Sequence, residues 1–290
     1  MKEHRPVLVD KVIEFLNVRP GCIYIDATCG TGHHSRAILE AVGGMCTVIC
    51  IDKDSRAIAR AKKYLANFSD RTIFINDGFE NIEKILQGAK IEKASGVLFD
   101  LGFSFEQISD PEAGFGFRQN GPLDMRFDTK SSITAMDVIN RFSKESIKNI
   151  LKKFGEIKDA ERIASDICRA RKIKHFETTK ELADFISQRR KYNRSIHPAT
   201  QVFQAIRIYV NRELENLKTG LEGSIKVLVP GARIVVISYH SLEDRIVKNF
   251  MKKNSRIKMI TKKVIVPDEL EKAVNFSARS AKMRVGEVLA

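Results

Sequence analysis

The sequence predicts a doubly wound α/β domain carrying an all-helical insertion. Three observations predict it. Short apolar runs, several of them closing on an aspartate, alternate with helical patterns up to Asp100. Residues 134–217 keep helical periodicity with no strand candidate among them. Strand patterning then resumes at Ala232 and alternates again toward the C-terminus. Strands alternating with helices imply right-handed crossovers and a mainly parallel sheet.

The elements follow in order. Cys22-Ile23-Tyr24-Ile25 reads as a buried strand ending at Asp26, followed by a glycine turn and a helix from about Ser35 to Val42. Thr47-Val48-Ile49-Cys50-Ile51 is a second strand, ending at Asp52. Ser55 to Leu65 is helical, because Ala57, Ile58, Ala61 and Leu65 share a face. Thr72 to Ile75 is a third strand and Phe79 to Leu86 a helix. Gly96-Val97-Leu98-Phe99 is a fourth strand, ending at Asp100. From about Gln107 to Lys130, Gly114, Gly116, Gly121 and two prolines break the pattern into a long loop. Ile147, Ile150, Leu151 and Phe154 then mark a helix, as do Leu182, Phe185 and Ile186. After Pro230-Gly231 come a strand over 232–237, a helix over 242–251, and strand candidates over 258–266 and 281–289. The core therefore spans 1–106 and 216–290, and the insertion 107–215.

At 290 residues and 43% hydrophobic, the chain can bury a full core. No apolar run reaches the ~20 residues of a membrane span, and no apolar h-region follows the charges of Met1–Pro6. The five cysteines are few and odd in number, with no Cys-x-x-Cys pair, so a disulfide framework and a zinc site are not expected. His33 and His34 are adjacent, not at ligand spacing. A reduced, cytoplasmic protein with no membrane partner is the natural reading. The net charge is +14, and its distribution is uneven. Residues 141–220 carry a net +9 and 245–290 a net +8, while 1–140 carry −2. This asymmetry suggests a polyanion such as RNA, or equally a solvated basic surface.

The chemistry-bearing motifs sit at strand ends. Asp26-Ala27-Thr28-Cys29-Gly30-Thr31-Gly32-His33-His34-Ser35 is a strand, acid and Gly-x-Gly turn entering a helix, the form of a nucleotide-cofactor turn or of a tight capped turn. Asp52 ends the next strand, where an acid can accept both hydroxyls of a ribose. A third glycine of the pyrophosphate type is missing, and Asp26 is placed to face a cation. S-adenosylmethionine, with its ammonium and sulfonium, suits this better than NAD. Asp100 stands beside the switch point, where it reads as a proton acceptor for a substrate amine or as a helix cap. Gly114 to Asp128 interleaves aromatics, arginines and acids, a pattern for a nucleobase loop or for an ordered loop with internal Asp–Arg pairs. His240 follows the strand over 232–237, with Glu243 and Asp244 in the next helix's first turn.

Taken together, these residues resemble the MraW/RsmH methyltransferases, which modify N4 of a specific cytosine in the decoding region of 16S rRNA. The likeness runs from His4-Arg5-Pro6-Val7-Leu8 to Ser277–Arg284. It is carried by Gly121-Pro122-Leu123-Asp124-Met125-Arg126, His197-Pro198-Ala199-Thr200 and the string from Ile237 to Lys248. The resemblance implies a class I, Rossmann-like, S-adenosylmethionine-dependent methyltransferase sheet with a helical insertion for RNA recognition. It implies cofactor contacts at Gly32, His33, His34, Asp52, Phe79, Asp100 and Gln107, with Phe79 against the adenine. Departures are visible. His33 stands where the family has the second of two paired glycines, which predicts crowding or a φ that histidine tolerates poorly. Phe105 stands for Ser, Gln201 for Arg, Phe154-Gly155-Glu156-Ile157 for Tyr-Gly-Glu-Glu, and Asn275-Phe276-Ser277 for Asn-Pro-Arg. Losing two arginines predicts weaker RNA contact.

The expected chemistry is displacement at a sulfonium methyl by the exocyclic amine of a flipped-out cytosine. Asp100 is the first candidate acceptor, with Ser104 and His240 as helpers. Asp124 and Arg126 are candidates for the cytosine edge. Arg189, Arg190, Lys191 and Arg194 are candidates for phosphates. The expected partner is 16S rRNA within the assembled small subunit, and the enzyme a monomer or homodimer. The rival readings are an NAD enzyme, an RNA-binding protein of this fold without activity, and the organellar rRNA counterpart.

Overall fold

A computed structural model describes residues 6–102, 110–190 and 197–290. It divides into two compact units, one formed by Met1–Gly102 with Leu214–Ala290, the other by Phe103–Glu213.

The first unit is built on seven strands: β1 (Ile23–Asp26), β2 (Thr47–Ile51), β3 (Thr72–Ile75), β4 (Ala94–Asp100), β5 (Leu228–Ser238), β6 (Ile257–Met259) and β7 (Lys282–Val288). Their order across the sheet is β3-β2-β1-β4-β5-β7-β6. The first five are parallel, and β7 runs antiparallel between β5 and β6. Period-two alternation divides the strand residues between two buried faces. Ile25, Ile49, Val97, Phe99, Ile234 and Val236 enter one core cluster, and Tyr24, Val48, Cys50, Leu98, Val235 and Ile237 the other.

Helices cover both faces: α1 (Val9–Leu16), α2 (His33–Glu40), α3 (Ser55–Tyr64) and α4 (Ile82–Gly88). The segment read as one helix over 79–86 is a 3₁₀ turn, Phe79–Asn81, followed by α4. The strand expected over 258–266 is shorter. Ile260 and Thr261 both donate backbone N–H to the Val285 carbonyl, so two residues oppose one and the ladder breaks; only Ile265 returns, as a bridge to Met283. Only β7 runs against its neighbours, so the sheet is mainly parallel, as expected.

The second unit holds α5 (Ala135–Arg141), α6 (Lys144–Gly155), α7 (Ala160–Ala170), α8 (Thr179–Arg189) and α9 (Thr200–Asn211). α10 (Glu213–Val227) then leads back to β5. Side-chain caps set the starts. Thr134 with Asp137 and Thr178 with Glu181 form capping boxes, and Ser143 caps α6. Ile147, Ile150, Leu151 and Phe154 are buried along α6, as their spacing predicts. The remaining helices of the first unit are α11 (Ser241–Lys253) and α12 (Glu269–Val274). Among the described residues no helix is long and apolar enough to cross a membrane.

The loop over 110–128 is ordered by backbone pairing. The Leu123 N–H donates to the Glu177 carbonyl and the Thr179 N–H to the Gly121 carbonyl. Asp124 and Arg126 close on each other, Nε to Oδ1 at 2.8 Å and NH2 to Oδ2 at 2.7 Å. The guanidinium also donates to the carbonyls of Thr129 and Ser131 at 2.8 and 2.6 Å. Asp124→Ala strands a partly buried cation, so it should destabilise this unit by about 2 kcal/mol, read as an earlier unfolding transition.

Candidate active site

The carboxyl ends of β1, β2, β4 and β5 place Asp26, Asp52, Asp100 and Tyr239 along one sheet edge. In open α/β sheets this edge binds ligands.

The turn after β1 takes two left-handed residues, Gly30 at φ 54° and Gly32 at φ 91°. His33 is the first residue of α2, and its ring meets Tyr64 edge-on with centroids 4.6 Å apart. The backbone strain expected at His33 is therefore absent: the positive φ falls one residue earlier, and the side chain turns toward α3. Gly32 has little room for a side chain, since a Cβ would lie 2.9 Å from Leu65 Cδ1, in a buried leucine. Gly32→Ala combines that clash with a left-handed penalty of roughly 1–2 kcal/mol. It should lower the melting temperature by several degrees and weaken cofactor binding in calorimetry.

Asp26 is fully buried beneath the turn. Its Oδ2 accepts the Ser35 hydroxyl at 2.6 Å and its Oδ1 the Thr28 N–H at 3.4 Å. It shapes the turn, which corrects the expectation that it faces a cation. Burial pushes its carboxyl up, against the Ser35 hydrogen bond.

Asp52 accepts the Gly30 N–H at 2.8 Å and the Asp54 N–H at 2.8 Å, one on each oxygen. Each oxygen keeps a lone pair for a further donor. Burial pushes this carboxyl up to about 6, with the two backbone N–H groups opposing. Phe79 packs edge-on to Phe99, centroids 5.4 Å apart, against Gly220 of α10.

Asp100 is the meeting point of the site. The Thr28 hydroxyl accepts its backbone N–H at 2.7 Å. The Tyr239 hydroxyl donates to its Oδ1 at 2.7 Å, and His34 Nε2 lies 3.3 Å from its Oδ2. His34 is 6% exposed, and neither ring nitrogen makes an aligned hydrogen bond. Burial opposes the charged imidazole, but the adjoining Asp100 and Asp26 carboxylates outweigh it and raise the His34 pKa.

His240 caps α11. Its Nδ1 accepts the Glu243 N–H at 3.4 Å, while Glu243 Oε2 accepts the Tyr239 N–H at 2.9 Å. Glu243 is itself buried. A structural task for this histidine is thus visible. Ser104 and Gln107 lie outside the described residues, as do Phe105, Lys191 and Arg194.

In the helical unit, the loop aromatics pack among themselves. Phe115 stacks on Phe127 at 5.0 Å, and Phe117 stacks on His197 at 4.6 Å and meets Phe203 edge-on. Phe115, Phe127 and Phe117 thus each spend one stacked face on a protein ring, as the alternative of an ordered loop expects. Asp124 and Arg126 likewise spend their hydrogen bonds on the loop. Arg190 donates to the Pro198 carbonyl at 2.7 Å and to Gln201 Oε1 at 3.0 Å. The glutamine at 201 suits that neighbour, because an arginine there would face Arg190. Arg189 lies over the Phe185 ring at 3.6 Å.

Tyr239 and Thr28 are not marked as site residues by the sequence: Tyr239 stands beside the more conspicuous His240, and Thr28 has the composition of an ordinary turn.

Five parallel strands with an antiparallel β7 inserted next to the edge, a glycine turn after β1 and acids at successive strand ends define a class I S-adenosylmethionine-dependent methyltransferase. The chain belongs to the MraW methylase family, whose model matches residues 1–289. It is 44% identical to the ribosomal RNA small subunit methyltransferase H of Carboxydothermus hydrogenoformans, over 99% of this chain and 98% of the relative. Proteins of the same name from Persephonella marina and a Sulfurihydrogenibium species are 45% and 44% identical, each over 99% of both chains.

Proposed function

We propose that this chain transfers a methyl group from S-adenosylmethionine to N4 of cytosine 1402 of 16S rRNA in the small ribosomal subunit. Support for an rRNA substrate comes from relatives of this name matching nearly end to end. The observation that carries the chemistry is Asp100, a carboxylate at the ligand-binding sheet edge, donated to by Tyr239 and faced by His34.

The residues present fit the cofactor. His34 offers buried ring nitrogens without aligned hydrogen bonds, Asp52 keeps acceptor capacity at the end of β2, and Gly30 leaves open space where a side chain would stand. Gly32, His33 and His34 would hold its methionine portion, Asp52 its ribose and Phe79 its adenine, with Gln107 and Asp100 at the edge. Once bound, S-adenosylmethionine supplies an electrophilic methyl group.

The chain's own task is to prepare a poor nucleophile. A cytosine amine delocalises its lone pair into the ring. A carboxylate that accepts one of its hydrogens favours the lone pair turning out of that conjugation, and later takes the proton that must leave. Asp100 performs this role, with Ser104 on the following segment as a second acceptor. His240 contributes by capping α11 beneath Tyr239, and Asp124 with Arg126 by bracing the loop of the helical unit. Alignment of the base supplies much of the acceleration.

The test is transfer of a labelled methyl group to small subunits lacking the modification, with mass spectrometry of nuclease digests. N4-methylcytosine at the stated position is the expected product. A methyl group elsewhere overturns the substrate. Cofactor binding without transfer to subunits or naked RNA favours an RNA-binding protein of this fold instead.

A further inference from the structure

We propose that Tyr239 is a positioning residue for methyl transfer, its hydroxyl holding the Asp100 carboxylate in the orientation that accepts the amine hydrogen. This rests on the role proposed above for Asp100.

The Tyr239 hydroxyl donates to Asp100 Oδ1 at 2.7 Å, the short distance of a charge-assisted bond. The residue is held at both ends. The Tyr239 backbone N–H donates to Glu243 Oε2 at 2.9 Å, inside the capping box of α11. The ring lies against Gly102, where a Cβ would sit 3.5 Å from its Cδ2 and where φ is 95°. The residue thus links the end of β5 to the end of β4.

Asp100 needs such a link. Its backbone is tied to the turn after β1 through Thr28, but its χ angles are not. On the other oxygen, His34 Nε2 is 3.3 Å away and poorly aligned. Tyr239 is therefore the one aligned side-chain donor to this carboxylate among the described residues. A tyrosine suits the post because its proton stays on. Burial and the neighbouring Asp100 carboxylate push its pKa well above the ordinary value, so it remains a donor across the working range. With Oδ1 committed to Tyr239 at one lone pair, the carboxylate's other lone pairs have fixed directions. An amine hydrogen meets an acceptor whose orientation is already set by that bond.

The test is Tyr239→Phe, which keeps the ring against Gly102 and removes only the hydroxyl. Single-turnover methyl transfer to small subunits should fall about ten- to hundredfold, the loss expected for one hydrogen bond to a charged group. The cofactor's dissociation constant should stay within about twofold. The loss should fall on kcat and leave the KM for small subunits within about twofold, as expected for an orientation used only in the transition state. An unchanged rate overturns the proposal. So does a rate loss matched by loss of cofactor affinity or by a failure to fold, since either makes the hydroxyl structural. If Asp100→Asn itself leaves the rate intact, the underlying reading of Asp100 falls instead, and the two failures are thereby told apart.

Discussion

Asp100→Asn should lower single-turnover methyl transfer by about a thousandfold, within the range typical of losing a general base. The substitution is nearly isosteric, so the sheet edge should persist. What changes is the hydrogen-bonding sense. The carboxylate accepts the Tyr239 hydroxyl on Oδ1 and faces His34 with Oδ2. An amide keeps one acceptor and turns an NH2 toward the other partner. Whichever way it flips, it can no longer hold Tyr239, accept an amine hydrogen and later take a proton. An unaltered melting temperature with a lost rate is the expected pair of results. A loss below about tenfold would move proton acceptance to another group, with Ser104 the first alternative.

The second large effect concerns Asp52 and pH. Burial holds its carboxyl at about 6. Ribose hydroxyls are donors, so they bind the ionised form. Cofactor affinity should therefore be flat above about pH 7 and weaken as pH falls through 6, by about tenfold at pH 5 relative to pH 8. The unliganded fold has the opposite sign. A carboxyl raised in the folded state binds more protons there than in the unfolded chain. Its contribution to stability is full at low pH and is lost as pH rises through about 6. Calorimetric titration across pH checks the first, and unfolding without ligand across the same range the second. Asp52→Ala should abolish the pH dependence of binding together with most of the affinity. A titration curve with the same midpoint in that variant would assign it to another group, such as Asp26, whose carboxyl burial also pushes up.

The strands over 23–26, 47–51, 72–75 and 94–100 were legible because both faces of a parallel sheet are apolar and each run meets a charged or glycine boundary. The acids at their ends were legible for the same reason: a carboxylate closing an apolar run stands out. What was illegible depended on partners distant in sequence. Nothing in Tyr239 itself says that its hydroxyl reaches a residue on another strand, 139 positions earlier. The antiparallel sense of β7 is set by its pairing with β5 and leaves no mark on its own alternation. The aromatic loop stays open to two readings in the sequence, because stacking on a base and stacking on a neighbouring phenylalanine use the same residues. Asp124 and Arg126 do so too, since a pair that recognises a ligand and a pair that recognises itself have one composition. The histidine at 33 seemed hazardous from the family's paired glycines, but the turn assigns its unusual φ to Gly32.

The neighbouring places of β4 and β5 have a consequence for synthesis. These strands pair side by side, Asp100 opposite Ile237, yet the whole helical unit is made between them. While a ribosome translates that stretch, β4 offers an unsatisfied row of amides and carbonyls to anything able to add a strand. β5 in turn stays half-paired until β7, the last strand in the chain, arrives. The nascent chain thus carries open seams for most of its translation, and its yield in a cell should respond to elongation speed and to chaperones that shield strand edges more than to the stability of the finished fold.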